Sequence, residues 1–297
     1  MTRDTKGSLE YWNRWVAYRL SRLEQMRERL REPSGDPTYR PRYAFDLARN
    51  HWQLMFCRYS RGDNTDELLQ YFAPLMDAWE KSNQLDEEAD PSEKRYARRA
   101  WAVNFDHYVV CFWLVGLALA LEIPDDQWDR LLALIGNEGE DILLDRIIAS
   151  RSPQRRIGTE LCFKKPYARL LEAIDAPREL QPLKLLEFVT HWYSEMAVIG
   201  SSGRAKQTVP YLHPYWYRLG NENFEGGAYF GRWCVEAVAA AKAFGMDDDA
   251  CQGHQHYPGD LFRPGSEPVE PNIRWEMQGN RGARTWLQRV FGPKRGQ

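Results

Sequence analysis

Leu9, Trp12, Val16, Leu20, Leu23 and Leu30 recur at steps of three, four or seven residues. That spacing puts them on one face of a helix with 3.6 residues per turn and predicts a long amphipathic helix at the start of the chain. Ser8 stands at its N-cap position, and Pro33, Gly35 and Pro37 end it. A second helical pattern covers 42–60 and closes at Arg61–Asn64. Asn64 or Thr65 is placed to cap a third over 66–85, which Pro74 is expected to kink. From about 92 the pattern runs to Glu122, where Pro124 stops it. Further helices fit 125–135, 138–149, 160–174 and 179–198, with two more pieces between about 213 and 244.

No segment alternates with period two for long enough to predict a strand. The expected fold is therefore all-α, a multi-helix protein of two packed helical halves. The expected division is an N-terminal helical domain over 1–123, a C-terminal one over 124–265, and a basic tail with a short helix over 266–297. Small and polar residues at 200–209 predict an exposed loop, and Pro258, Pro264, Pro268 and Pro271 predict an irregular wrap over 253–279.

At 297 residues the chain is long enough for a sizeable core. Its mean hydropathy of −0.64 is ordinary for a soluble globular protein. The longest apolar run, 109–121, falls short of the roughly 20 residues that cross a bilayer, so it reads as a buried core helix. The first residues lack the apolar core of a secretory signal, which predicts a cytoplasmic protein. Five scattered cysteines without a C-x-x-C spacing read as reduced thiols, Cys111 and Cys234 as small core residues.

Charge is uneven along the chain. Residues 1–60 carry 12 basic against 7 acidic residues and 263–297 carry 7 against 3, which leaves the middle, 61–262, with 21 against 32. Much of the acidic excess falls between Asp63 and Asp145, including Asp63, Asp66, Glu67, Asp77, Glu80, Asp86, Glu87, Glu88 and Asp90. Such a surface repels nucleic acid and steers a basic protein partner; it also fits a merely solvated helix face.

Catalytic signatures are sparse. There is no G-x-S-x-G, no phosphate-cradling glycine loop and no Glu-x-x-His pair of the helical di-metal enzymes. The nearest thing to a metal cluster is Cys251, His254 and His256, at a spacing that matches no established zinc motif. On these grounds no catalytic residue, metal or cofactor is expected. A metal-dependent hydrolase built on Glu236 and the Cys251, His254, His256 cluster is the alternative, and a helical adaptor for another partner is a third reading.

The segment 224–245, with its alanines, reads as a nearly all-buried central helix ended by Gly245. On a helical wheel Glu225, Tyr229, Arg232 and Glu236 share one stripe, with Arg232 and Glu236 at ion-pair spacing. Gly227 and Gly231 there would admit a close neighbour. The order Gly231, Trp233, Glu236, Ala237, then Asp247 and Asp248, then Tyr257, Pro258, Asp260 and Leu261 resembles the C-terminal domain of the PoNi family of bacterial immunity proteins. Where that family often has an aromatic before the tryptophan, this chain has Arg232.

The resemblance implies an all-helical immunity protein, not an enzyme, that binds a cognate PoNe-type DNase toxin delivered between bacteria by secretion systems, type VI among them. It implies no direct contact with nucleic acid or membrane. DNase domains carry basic surfaces for phosphate, so the acidic middle becomes the expected toxin-binding surface. Asp63, Asp66, Glu67, Asp86, Glu87, Glu88 and Asp90 lead, followed by Asp247, Asp248 and Asp249. Glu225, Gly227, Tyr229, Gly231, Arg232, Trp233, Glu236, Tyr257, Pro258, Asp260 and Leu261 are expected to be scaffold.

Overall fold

The structure is a computed structural model that describes residues 1–32, 37–89, 98–196 and 214–263. The described residues form helices, short 3-10 turns and loops, with no strand among them, and the fold is all-α. The expected loop at 200–209, the prolines from Pro264 onward, the tail over 266–297, Asp90 and the side chain of Glu88 lie outside the described residues.

Helix α1, Leu9–Arg31, starts where predicted, and the Ser8 hydroxyl accepts the Tyr11 amide at 3.1 Å. Helix α2, Arg40–Arg61, ends on Gly62 in the left-handed region. Asn64 does cap the next element, but that element is a 3-10 turn, Thr65–Tyr71; helix α3 begins only at Phe72 and runs to Ala89. Pro74 therefore falls in the first turn, where the helix needs no N–H from it. Of the pattern expected from about 92, residues 92–97 lie outside the described residues and Arg98–Arg99 are helical; helix α4, Phe105–Ala120, begins anew where the Asn104 side chain caps it by accepting the His107 amide at 3.0 Å.

Five more helices follow over the predicted ground: α5, Asp125–Ile135; α6, Ile142–Ala149; α7, Lys164–Asp175; α8, Gln181–Met196; and α9, Tyr215–Glu222. Helix α10, Val235–Phe244, ends at Gly245 in the left-handed conformation, and a single turn α11, Gly259–Phe262, closes the described chain. No described helix is long and apolar enough to cross a membrane.

Helices α4 and α10 are the centre of the core. Both are apolar nearly all round, the mark of a helix enclosed by others, and almost every α4 residue is buried. They touch at Gly116, where an added Cβ would lie 2.7 Å from Val235 Cγ1 and 3.1 Å from Ala239 Cβ. Around them, α2 and α3 meet α4 through Phe56 on Trp113 and Trp79 on His107, α1 packs on α2, and the α7–α8 pair packs against α10. Cys57, Cys111, Cys234 and Cys251 are buried free thiols.

The first residues are tied to the segment 229–260. Arg3 donates to Asp260 at 2.5 Å, and the Tyr59 hydroxyl of α2 donates to the same carboxylate. Tyr229 donates to Asp4 at 2.5 Å, while the Trp12 indole donates to the Asp4 carbonyl at 3.0 Å.

Candidate functional site

The acids expected to face a partner separate into two groups by burial. Asp63 sits at the end of α2 between Arg58 and Arg61, the latter 2.6 Å away, with 9% of its side chain exposed. Burial opposes its charge, and the two guanidinium bonds outweigh burial, holding the carboxyl below the ordinary carboxylate pKa. Asp86 is buried and receives Arg98 at 3.2 Å and Arg99 at 2.8 Å. Asp248 is fully enclosed and accepts Tyr257 at 2.8 Å, Gln252 at 2.6 Å and Arg263 at 2.7 Å; burial raises its pKa. These three carboxylates are committed to internal bonds.

Asp66, Glu67, Glu87, Asp247 and Asp249 are exposed. Glu67 pairs with Arg58 across the surface, and Asp249 pairs with Arg263 at 2.5 Å. Further exposed acids lie where α5 packs against α3. Arg130 of α5 sits 2.7 Å from Asp77 and 2.8 Å from Glu80 of α3, and Asp125, Asp126 and Asp129 are exposed on the same helix. The α5 acids were not singled out from the sequence. The signal was present: they occupy the polar side of a helix whose buried side is Trp128, Leu131 and Ile135.

The glycine-tryptophan segment departs from the expected helix. Residues 225–234 are turns and extended chain, and α10 begins only at Val235. Glu225, Tyr229, Arg232 and Glu236 therefore share no helical stripe. Gly227 and Gly231 have φ of +75° and +108°, where a side chain is strained, and an added Cβ would strike the Trp15 ring and the Ser60 hydroxyl respectively. Arg232 does not pair with Glu236: its guanidinium bonds Asn221 and lies 4.2 Å over the Tyr193 ring. Glu225 pairs with Arg14 at 3.2 Å in solvent.

Glu236 is instead enclosed in the first turn of α10, where Tyr167 donates to Oε1 at 3.0 Å and the Trp192 indole at 3.1 Å. Burial raises its pKa to about 7 against the lowering effect of these donors and its own backbone amide. Oε2 makes no hydrogen bond, and the unpartnered Trp113 indole lies near enough to favour the charged form. Trp233 donates to Ser60 at 2.8 Å, Tyr257 to Asp248, and Leu261 is buried, with Pro258 leading into α11.

The metal alternative requires Cys251, His254 and His256 to converge. Among the described residues the only three or more ligand atoms within 4.8 Å of one another belong to Asp247, Asp248 and Asp249. His256 is turned elsewhere, its Nδ1 at 3.1 Å from the Arg232 carbonyl and its ring against Trp192 and Tyr193. Burial pushes both imidazoles down to about 4.

Comparison with known proteins gives two family matches. A model described as PoNe immunity protein (PoNi), N-terminal, matches residues 3–133, and one described as PoNe immunity proteins (PoNi), C-terminal, matches residues 139–261. A crystal structure of the protein PA2201 from Pseudomonas aeruginosa shares the fold, with a TM-score of 0.64 and 18% identity over 88% of this chain and 89% of that one. No curated protein sequence matches.

Proposed function

The chain belongs to the PoNe immunity protein (PoNi) family, and from that premise we propose that it binds and neutralises a cognate DNase toxin in the cytoplasm. The toxin arrives from neighbouring bacteria, type VI secretion being the proposed route, and the protein acts by binding, with no catalysis. The observation that carries this reading is the exposed acidity of the 3-10 turn, α3 and α5: Asp66, Glu67, Asp77, Glu80, Glu87, Asp125, Asp126 and Asp129. A nuclease presents cationic side chains to phosphate, and a surface of carboxylates competes for them. Long-range attraction between opposite patches raises the association rate more than it deepens the bound state.

The burial pattern sharpens the proposed interface. Asp63, Asp86 and Asp248 act within the fold, so the toxin is met by the exposed acids on either side of them. Co-expression with the cognate PoNe-type toxin is the test. Intact chromosomal DNA in cells making both proteins supports the reading; continued DNA degradation despite abundant immunity protein refutes it.

A further inference from the structure

A groove of about 270 Å³ opens between α1, α2 and the α9–α10 connection, and its charge is opposite to that of the acidic face. Three arginines line it: Arg19, Arg22 and Arg49. Arg19 is 6% exposed, deep enough for its charge to need a partner. Its partners are neutral. One terminal nitrogen donates to Gln53 Oε1 at 2.6 Å, the other to the Gly227 carbonyl at 3.0 Å, and the buried Nε–H has no acceptor. The nearby Cys57 thiol supplies no counter-charge, because burial pushes its pKa up.

Arg22 is half-buried and makes no hydrogen bond or ion pair among the described residues. Arg49 pairs with Asp46, the one carboxylate in the lining. The groove thus holds more positive than negative charge, with Tyr39, Tyr43 and Leu219 as its less polar walls. Tyr39 and Leu219 are themselves partly in solvent, so the low-dielectric surroundings that strengthen a guanidinium's attraction for an anion are those of buried Arg19.

We propose that this groove is a binding site for a small organic or inorganic anion bearing a carboxylate or phosphate group, held by Arg19 and Arg22 and flanked by Arg49. The volume lies just below that of drug-sized pockets, which suits a compact anion. The planar guanidinium of Arg22 binds either oxyanion in a two-pronged manner while Arg19, its terminal nitrogens engaged by Gln53 and Gly227, contributes its charge, so the shared chemistry is the oxyanion. Both halves of the chain contribute, since Gly227, Ala228 and Leu219 stand opposite α1 and α2, and a bound anion holds them together.

The test is calorimetric titration of the full chain with inorganic phosphate and, separately, with malonate, at ionic strength held constant with chloride. Saturable binding of either anion at one site is expected, and the tighter of the two assigns the group. Arg22→Ala is the decisive variant. Because Arg22 bonds nothing among the described residues, its loss leaves the melting temperature in chloride unchanged and weakens anion binding about ten-fold. At ten times its Kd the anion raises the melting temperature of the native chain by about 3 °C, and that rise shrinks in the variant. Absence of saturable binding for both anions, or equal binding in Arg22→Ala, overturns the proposal. Neither result bears on toxin neutralisation, which the co-expression experiment decides separately.

Discussion

Replacing Glu236 by Gln isolates a fully buried carboxyl in the central helix α10. Its pKa is about 7 in the fold against an ordinary 4.5. Between those values the unfolded chain has lost the proton and the folded chain has kept it, so stability falls as pH rises through 4.5 to 7 and levels off above. The difference amounts to about 3 kcal/mol over the window. Gln keeps an acceptor for Tyr167 and Trp192 but brings an extra N–H donor to the Oε2 position, near the unpartnered Trp113 indole, at a cost of about 1 kcal/mol.

The variant should therefore be level with the native chain or about 1 kcal/mol below it near pH 4.5, and about 2 kcal/mol above it at pH 8. Urea denaturation of both proteins at half-unit pH steps measures this directly. Every other titrating group is common to both, so the difference curve belongs to Glu236. A difference that stays constant from pH 4.5 to 8 refutes the reasoning.

Burial holds His51, His107, His254 and His256 at about 4 while the unfolded imidazoles take up protons from about 6.5 downward, so these four groups should make stability rise between pH 4 and 6.5, against the opposite effect of the buried carboxyls of Asp4, Asp106, Asp141 and Asp248. Imidazole proton NMR signals followed against pH measure this directly, and signals that titrate near 6.5 contradict the burial. Gly116→Ala should destabilise by about 1–3 kcal/mol through the clash with Val235, less about 1 kcal/mol of helix propensity regained; a stabilised variant would show that α4 and α10 do not approach so closely. Reversing Asp66, Glu67 and Glu87 together to Lys should slow toxin association about ten-fold at low salt and reduce its salt dependence, with little change in melting temperature. Unchanged stopped-flow kinetics would move the interface elsewhere.

Local signals were legible and distant ones were not. The periodic apolar residues of α1 and α2, the acids opposite Trp128 in α5, the Ser8 cap and the Gly245 stop all act within a few residues, and each is visible in the chain. The α10 boundary was misread because the alanine-rich run is continuous in composition while Gly227 and Gly231 take backbone angles that end helix. Counting acids could not tell Asp86 from Glu87: Asp86 is buried by Arg98 and Arg99, and its neighbour stays in solvent. Glu236 is another case of distance, since its donors come from α7 and α8. Arg3 and Asp260, 257 positions apart, offered no local clue at all.

Those long-range ties bear on the expected division at 123 and 124. Phe105, Tyr108 and Phe112 of α4 stack against Phe163 and Tyr167 beyond the boundary, and Trp113 packs on Trp216 and Phe230. All eight rings are buried. At about 1.5 kcal/mol each, separating them forfeits about 12 kcal/mol, comparable to the whole stability of a typical domain at about 5–15 kcal/mol. The chain split at 123 and 124 should therefore give two fragments that keep helical circular dichroism, bind a hydrophobic dye and melt without cooperativity. A sharp melting transition in either fragment alone, near that of the intact chain, would mean that α4 and α10 belong to separable cores. The family matches meet between 133 and 139, but the burial of α4 by α10 argues that the two matched regions fold as one unit.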